Sequence, residues 1–392
     1  MNADPQLRER LDRAAGRLHI DTERRLDELH RAAPRRGRTR RVAAFAVAAA
    51  LMAVAGTAAW QLNLFGDPAR PGVGTGPTGR IAFMSLSKPL SERDSSDLYV
   101  LDAASGEVTP LHEGGGFSIA PQWSPDGSRL AFASNETASG EIGIFVAEAD
   151  GTGAVNILAS DRMLEDGGPI SLAWSPDGSQ IAYTGRDPET GRPGAWIIGD
   201  DGRGRRTVPE IGPGYWESVA WSPGGGSIAL TGDLLTEPDS DQIDLYVVSL
   251  VERPPGARGP GPLYRRVTND PLIERWPAWS PDGSRIAFAR TSEDDFENTD
   301  YGQDVWIMDA DGSNERKLTD WEGLDGFPAW SPDGAWIAFA SDRGATAEQQ
   351  EGNRGVEPFS GVSVYAMRPD GSDVRLLADG GEIAFLPSAW TS

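Results

Sequence analysis

Hydrophobic residues recur in short runs along residues 79–392, and a turn signal separates each run from the next. The clearest unit reads Pro-Ala-Trp-Ser-Pro-Asp-Gly-Ser-Arg-Ile-Ala-Phe at 277–288, and the unit at 328–339 is nearly identical. Related units stand at 121–132, 172–183 and 219–230. Short runs bounded by Gly, Pro, Asp or Ser are typical of β-strands. The pattern predicts an all-β protein built from a repeated hairpin.

The turn in this unit has a clear physical basis. In Ser-Pro-Asp-Gly, Pro presets φ at the second position, Asp suits the third, and Gly takes the left-handed fourth. The Trp and the Ile-Ala-Phe runs are therefore the two strands on either side of a tight reversal. A third strand is predicted at 97–102, 143–146, 195–198, 244–248, 304–309 and 363–367. An Asp-Gly turn in four units and a fourth strand, such as 316–319 or 374–377, complete a four-stranded meander.

The repeated tryptophan sets the number of units. Its six copies are separated by 51, 47, 58, 51 and 60 residues, close to the roughly 40–50 residues of known propeller blades. Five units are complete, but 79–83 is a second strand with no Trp strand before it, and 387–390 is a Trp strand with nothing after. Joining these ends predicts a sixth blade closed by an N-/C-terminal clasp, which hides the last strand edge.

These motifs, with Val-Trp-Ile-Met-Asp-Ala-Asp-Gly at 305–312 and a closing Leu-Thr, resemble the TolB-like six-bladed β-propeller and its WD-repeat-like units. The resemblance covers 79–392. It implies a secreted or periplasmic-type binding scaffold whose partners meet the propeller face or the central channel. The chain departs from the pattern at Pro223-Gly-Gly and in a Pro/Gly-rich insertion at 252–262.

The N-terminal part predicts a membrane anchor, which the soluble TolB pattern lacks. Residues 42–60 carry no charge and would extend roughly 28 Å as a helix, about the thickness of a bilayer core. Five Arg stand at 35–41, so the positive-inside rule places the N-terminus in the cytoplasm. We expect a cytoplasmic tail (1–41), a single transmembrane helix (42–64), a Pro/Gly linker (65–78) and an extracytoplasmic propeller (79–392).

Two alternatives compete with the anchor. Small residues at 53–55 and 57–59 resemble signal-peptidase sites, although a charged lead-in of 41 residues is far longer than a usual signal peptide has. A buried soluble helix is the other, and the Arg cluster argues against it. The tail itself is either a solvated segment that touches anionic lipid or a docking helix for a cytoplasmic partner.

Charge and composition exclude several functions. The first 41 residues carry 12 Arg and 7 acidic residues, whereas the rest carries 24 basic and 52 acidic residues. Such an acidic body repels nucleic-acid phosphates. Cysteine is absent, which removes disulfides, zinc thiolates and a cysteine nucleophile.

Catalytic chemistry has little support. The predicted exported part has one histidine, His112, and no Gly-x-Ser-x-Gly elbow, so no catalytic residue is assigned. Paired carboxylates of a glycosidase stay open, because acidic residues are plentiful. The segment 309–315 resembles a Ca²⁺ loop, but repeated Asp-Gly turns explain it, and the acidic run 293–300 is expected to be solvated charge. No cofactor or metal site is predicted.

The candidate partner site lies where the chain enters each Trp strand. If that strand is innermost, these connections lie at one mouth of the channel, and they vary between blades, which is where function can be placed without disturbing packing. The predicted partner-binding residues are Trp216, Glu217, Glu274, Arg275, Trp276, Asp325 and Phe327. The repeated tryptophans themselves are expected to form inter-blade core rather than sugar platforms. The predicted function is a non-catalytic protein-interaction or sensor scaffold; a carbohydrate or cell-wall binding module comes second, and an enzyme third.

Overall fold

The computed structural model describes residues 76–86, 97–112, 117–136, 142–159, 171–186, 190, 192–208, 211, 214–234, 243–250, 263–291, 302–347, 349–350, 361–380 and 384–392. The predicted tail, transmembrane helix and most of the linker lie outside these residues, as does the acidic run 293–300. Within the described ranges, no helix is long and apolar enough to cross a membrane.

The described residues form six antiparallel sheets of four strands each. Blade 1 joins β1 (Arg80–Leu86), β2 (Asp97–Asp102) and β3 (Val108–His112) to the last strand, β24 (Ala384–Thr391). Blade 2 holds β4 (Ser118–Trp123), β5 (Arg129–Ser134), β6 (Gly143–Glu148) and β7 (Val155–Ala159). Blade 3 holds β8 (Ser171–Trp174), β9 (Gln180–Arg186), β10 (Pro193–Gly199) and β11 (Arg206–Thr207).

The other three blades repeat the meander. Blade 4 holds β12 (Gly214–Trp221), β13 (Ser227–Leu234), β14 (Asp244–Ser249) and β15 (Tyr264–Arg266). Blade 5 holds β16 (Glu274–Trp279), β17 (Arg285–Thr291), β18 (Gln303–Asp309) and β19 (Arg316–Lys317). Blade 6 holds β20 (Asp325–Trp330), β21 (Ile337–Ser341), β22 (Ser363–Met367) and β23 (Arg375–Ala378).

The Trp strand is the innermost strand of every blade. Each Trp strand contacts the Trp strands of the two neighbouring blades, and β24 contacts both β20 and β4, so the ring is closed. The predicted clasp is confirmed, because β24 pairs antiparallel with β1 and sets Ile81 opposite Trp390. We call the end of the ring where the Trp strands begin the mouth face, and the end with the Ser-Pro-Asp-Gly turns the turn face.

Each seam between neighbouring blades has its own apolar core. The alanine of every Ile-Ala-Phe-like run is fully buried, and each belongs to a different one of the six main inter-blade clusters. These alanines are Ala82, Ala131, Ala182, Ala229, Ala287 and Ala338. Four repeated tryptophans, at 123, 174, 330 and 390, are buried and the two at 221 and 279 are half-buried. Their prediction as inter-blade core is confirmed.

Candidate functional site

The seven predicted site residues lie inside strands, not in connections as expected. Trp216 and Glu217 belong to β12, Glu274 to Trp276 to β16, and Asp325 and Phe327 to β20. The Trp strands are longer than the sequence pattern indicates, because pairing with the second strand continues past an irregularity in register. All seven therefore lie in the mouth-face half of three consecutive innermost strands.

Trp276 and Phe327 have an unusual backbone. Both have φ in the left-handed region, 51° and 55°, and both precede a proline. Each coincides with a register shift that marks a β-bulge. A bulge re-aims a side chain, and a left-handed backbone costs an L-residue about 1–2 kcal/mol. Bulky residues held this way cluster at functional sites.

The two bulged aromatic rings stack on each other across the seam between blades 5 and 6. Their centroids are 3.6 Å apart and their planes are inclined by 19°. Gly326 makes this approach possible, because a Cβ there would lie 2.9 Å from the Trp276 ring. Both rings remain partly exposed. The equivalent bulge residue of blade 2 is Ala120, with φ of 52°, so the fold repeats the bulge while only blades 5 and 6 place an aromatic there.

An ion pair lies beside the aromatic stack and crosses the seam between blades 4 and 5. The Arg275 Nε donates to a Glu217 carboxylate oxygen over 2.9 Å. The arginine side chain is only 5% exposed, whereas the glutamate side chain is 32% exposed. The guanidinium of Arg275 is therefore buried at the seam, and the carboxylate of Glu217 is partly exposed to solvent. We call Glu217, Arg275, Trp276 and Phe327 the mouth cluster.

Glu274 does not face solvent. It is fully buried, and its carboxylate accepts hydrogen bonds from Arg290 Nε over 2.7 Å and from the Thr268 hydroxyl over 2.8 Å. Arg290 also pairs with Asp270 and Glu315, so three carboxylates surround one guanidinium. Burial, with a smaller contribution from Asp270, raises the pKa of Glu274 to about 8 although Arg290 and Thr268 act to lower it.

Asp325 repeats this arrangement one blade further on. It is fully buried and pairs with Arg343 over 2.5 Å. Burial raises the pKa of Asp325 to about 6, against the lowering effect of Arg343. Trp216 is buried as well, where its ring packs edge-on against Tyr246 at 5.3 Å. Glu274, Asp325 and Trp216 therefore support the mouth from within, and Arg275 holds Glu217 from a buried position. Direct contact with a partner is left to Glu217, Trp276 and Phe327.

The sequence did not predict the arginines that pair with the buried carboxylates of Glu274 and Asp325. Arg290 and Arg343 lie just inside or beyond the second strand, where nothing in the repeat marks them. The sequence does mark two threonines. Thr268 and Thr319 end the closing Val-Thr and Leu-Thr of their units, which follow the fourth strand at the mouth face. There each hydroxyl accepts the backbone N–H of the third strand, from Leu245 and Val305, over 2.9 Å.

The Ca²⁺-like segment of blade 5 forms a turn that is closed by its own side chains. Asp311 accepts from the backbone N–H of Ser313 over 2.9 Å, and Asn314 donates to Asp309 over 2.6 Å. Among the described residues, no group of three or more His, Cys, Asp or Glu side chains is placed to hold a metal ion. His112 lies 3.0 Å from Glu136 at the mouth-face end of β3.

Comparison with known proteins agrees with this architecture. Residues 262–353 match the TolB beta propeller domain. A segment of 168 residues is 32% identical to the protein TolB homolog of Chlorobium luteolum, covering 41% of this chain and 31% of that protein. A segment of 103 residues is 31% identical to a Bacillus subtilis protein named uncharacterized peptidase YuxL, covering 26% of this chain and 13% of that protein. The chain thus spans less than a third of the length of these relatives.

Among solved structures, TolB from Acinetobacter baumannii superimposes with a TM-score of 0.57 at 18% identity, over 80% of this chain and 66% of that one. Six four-stranded blades, a closed ring and a clasp between β1 and β24 define the class as a clasped β-propeller. Within that class, residues 262–353 match the TolB beta propeller domain, and the fold of the described residues as a whole is a six-bladed β-propeller.

Proposed function

We propose that the chain is a non-catalytic protein-interaction scaffold whose partner binds at the mouth cluster. The observation that carries this proposal is the stack of Trp276 on Phe327, two aromatic residues held in left-handed bulges and left partly exposed. A buried pair for core packing alone does not need that backbone. Blade 2 has the same bulge at Ala120, so what distinguishes blades 5 and 6 is that the bulge holds an aromatic ring where a partner can reach it.

The composition of the mouth cluster suits a protein partner. Trp and Arg are enriched among the residues that dominate binding energy, and such residues act best when their surroundings hold them in place. Arg275 is held by Glu217, and Trp276 by the ring of Phe327 and the Ser218 hydroxyl, which accepts its backbone N–H over 3.3 Å. The cluster is thus preorganised, which lowers the entropy that binding has to overcome.

The location and the sensor role are part of the same proposal. The uncharged run at 42–60 and the Arg cluster before it support a single-pass, N-in anchor with the propeller outside the cytoplasm. Residues 1–41 could then report partner binding to a cytoplasmic protein. Protease digestion of intact and permeabilised cells tests the orientation. Propeller fragments released from intact cells support it, and release only after permeabilisation contradicts it.

A carbohydrate or cell-wall ligand is the second candidate, because partly exposed aromatic rings also stack on sugars. Glycan arrays probed with the full-length chain separate it from a protein partner. An enzyme is the third candidate. The Bacillus subtilis relative is named a peptidase, which suggests an enzymatic function, although the match covers only 13% of that protein. Turnover of a peptide or glycan library that disappears on Glu217→Gln would favour it.

The central experiment is affinity capture from membranes with matched variants. Trp276→Ala and Phe327→Ala should each lose a captured protein that the wild-type chain retains. Val155→Ala is the control, because Val155 is an apolar side chain 60% exposed on the outermost strand of blade 2. A partner retained equally by all four chains contradicts binding at the mouth cluster.

A further inference from the structure

The basic side chains on the mouth face of blades 4–6 are already paired within the chain. The described residues include five of them, counting the connections that follow these blades, and each forms an ion pair with a carboxylate. The pairs are Arg266 with Asp244, Arg275 with Glu217, Arg290 with Glu274, Lys317 with Asp304 and Arg343 with Asp325. The side chains of Arg275 and Arg290 are only 5% and 3% exposed. These five cations therefore leave little positive charge for a partner to meet.

Six further carboxylates lie in the same part of the structure. They are Asp233, Asp270, Asp320, Glu322, Asp342 and Asp379. Asp270 and Asp320 share Arg290 and Lys317 with carboxylates already named, so they bring no further cation. The mouth face of these blades therefore has six more carboxyl groups than basic groups. One carboxyl group, that of Glu274, keeps its proton at neutral pH because its pKa is about 8, which leaves an excess of five negative charges.

Among the described residues, this excess is confined to the half of the mouth that holds the mouth cluster. The mouth face of blades 1–3 has two acidic and two basic side chains, Asp97, Glu136, Arg186 and Arg192. In the sequence, the twelve segments that join strand ends at the mouth face contain 28 acidic and 6 basic residues, against 13 and 5 in the eleven segments at the turn face. A field of one sign attracts partners of the opposite charge and steers their approach.

Arginine over tryptophan is a contact that this chain makes repeatedly. Seven of the twelve described tryptophans have a guanidinium 3.9–6.0 Å from the ring centroid. Trp276 is one of the five that have none, although its ring is partly exposed where Phe327 stacks on one face. The neighbouring Glu217 side chain is 32% exposed, and only its Oε2 accepts from Arg275. An aromatic ring next to a partly exposed carboxylate suits a cationic group, which is attracted by both.

We propose that the partner of the mouth cluster presents a basic segment, with an Arg or Lys side chain over Trp276 and beside Glu217. The inference rests on the proposed function, because it names the chemistry of the partner at the same site. Arginine fits better than lysine, since its planar guanidinium stacks on aromatic rings and donates two parallel hydrogen bonds to a carboxylate. An acidic partner is repelled by the excess carboxylates, and an apolar one gains nothing from them.

Three labelled peptides of equal length test the charge of the partner against the purified full-length chain. In each peptide, serine alternates with one other residue, which is arginine, alanine or glutamate. Fluorescence anisotropy should show binding of the arginine peptide and no binding of the other two. The affinity for the arginine peptide should fall at least tenfold between about 50 mM and about 500 mM NaCl, because salt screens exposed charges. No binding of the arginine peptide, or equal binding of the alanine peptide, overturns the inference.

Two matched charge reversals locate the contact. Glu322 lies in the mouth-face connection before β20, and Glu107 lies in the turn-face connection before β3. Both are exposed, with no side-chain partner among the described residues. Glu322→Lys should weaken binding of the arginine peptide about fivefold, because it reverses a charge near the site, whereas Glu107→Lys should leave the affinity unchanged. Equal weakening by the two would mean a general attraction to an acidic chain and overturn the inference. Thermal unfolding checks that both variants are folded, as expected for exposed positions.

Trp276→Ala separates this inference from the proposed function. The substitution should weaken binding of the arginine peptide about tenfold or more. If Trp276→Ala loses the captured protein but binds the arginine peptide as the wild type does, the proposed function stands and the inference is overturned. Retention of every captured protein by Trp276→Ala contradicts the proposed function itself.

Discussion

Trp390 donates its Nε1–H to the carbonyl oxygen of Thr78 over 2.9 Å, which joins residues 312 positions apart in the chain. Trp390 is 9% exposed, in the core between blades 6 and 1. This hydrogen bond lies at the end of the β1–β24 ladder, next to Gly79, where a Cβ would lie 2.9 Å from the indole nitrogen. The clasp therefore holds Thr78 and β1, at the start of the propeller, against β24 at its end.

Removal of residues 385–392 should strongly destabilise the whole propeller, because it opens the ring and leaves β1 with an unpaired edge. Trp390→Ala alone should cost about 3–5 kcal/mol, as expected for a buried tryptophan. Thermal and urea unfolding measure both effects. Leu376→Ala is the control: this side chain is 52% exposed, so its loss should change stability by about 0.5 kcal/mol or less. An unchanged midpoint for the truncated chain would mean that the ring does not depend on the clasp.

Gly151 should be far less tolerant of substitution than Gly204. Both have a positive φ, 80° and 65°, so alanine costs each about 1–2 kcal/mol of backbone strain. A Cβ on Gly151 would also overlap the Leu111 carbonyl oxygen, whereas one on Gly204 meets nothing within 4 Å. Urea unfolding of Gly151→Ala and Gly204→Ala compares the two. Equal losses would show that the turn of blade 2 does not contact blade 1 as described.

The Ser-Pro-Asp-Gly turns should make the propeller sensitive to acid. Hydrogen bonds from Ser280, and then from the backbone N–H and hydroxyl of Ser284, lower the pKa of Asp282 to about 2, and Ser124 and Ser128 do the same for Asp126. A carboxylate whose pKa is lower in the folded state stabilises above its unfolded pKa and loses that effect as pH falls. The thermal unfolding midpoint of the wild type should therefore fall between about pH 4 and 2. In the double variant Asp126→Asn/Asp282→Asn the midpoint should fall less steeply over the same range. The same slope in wild type and variant would contradict this origin.

Glu274 should make the propeller less stable as the pH rises, the opposite of the effect of the turn aspartates. Its folded pKa, about 8, lies above the unfolded value, so its contribution is full below about pH 4.5 and declines as pH rises through 8. Urea unfolding should show lower stability at pH 8.5 than at pH 5.5, and Glu274→Gln should remove much of that difference. Arg290→Met, measured at pH 8.5 where Glu274 is ionised, tests the pair from the other side, because it leaves three carboxylates without their shared cation and should cost about 3–5 kcal/mol. A pH dependence that survives Glu274→Gln unchanged would assign it to another group.

The repeat predicts the fold well because each of its signals is local. Ile-Ala-Phe is a strand with both faces buried, and the Ser-Pro-Asp-Gly turn before it sets the register; the third strands at 97–102 and 363–367 are confirmed to the residue. The clasp follows because the first unit lacks its Trp strand and a lone Trp strand stands at the other end of the repeat.

The site was less predictable because it depends on contacts between blades. Trp216 and Trp276 look alike in sequence, yet one is buried and the other partly exposed. Gly214 and Gly232 explain the first, since a Cβ on either would lie 2.7–2.8 Å from the Trp216 ring. The bulge before proline explains the second. The charges of Glu274 and Asp325 suggest exposure, but arginines from the second-strand side of each blade let both be buried.

The mouth cluster is tested most directly by titrating a captured partner against purified full-length variants and measuring the dissociation constant. Trp276→Ala should weaken binding at least tenfold, as expected when a central aromatic of an interface is removed. Val155→Ala should bind as the wild type does, and thermal unfolding should show both variants folded. A dissociation constant for folded Trp276→Ala equal to that of the wild type would contradict binding at the mouth of the propeller.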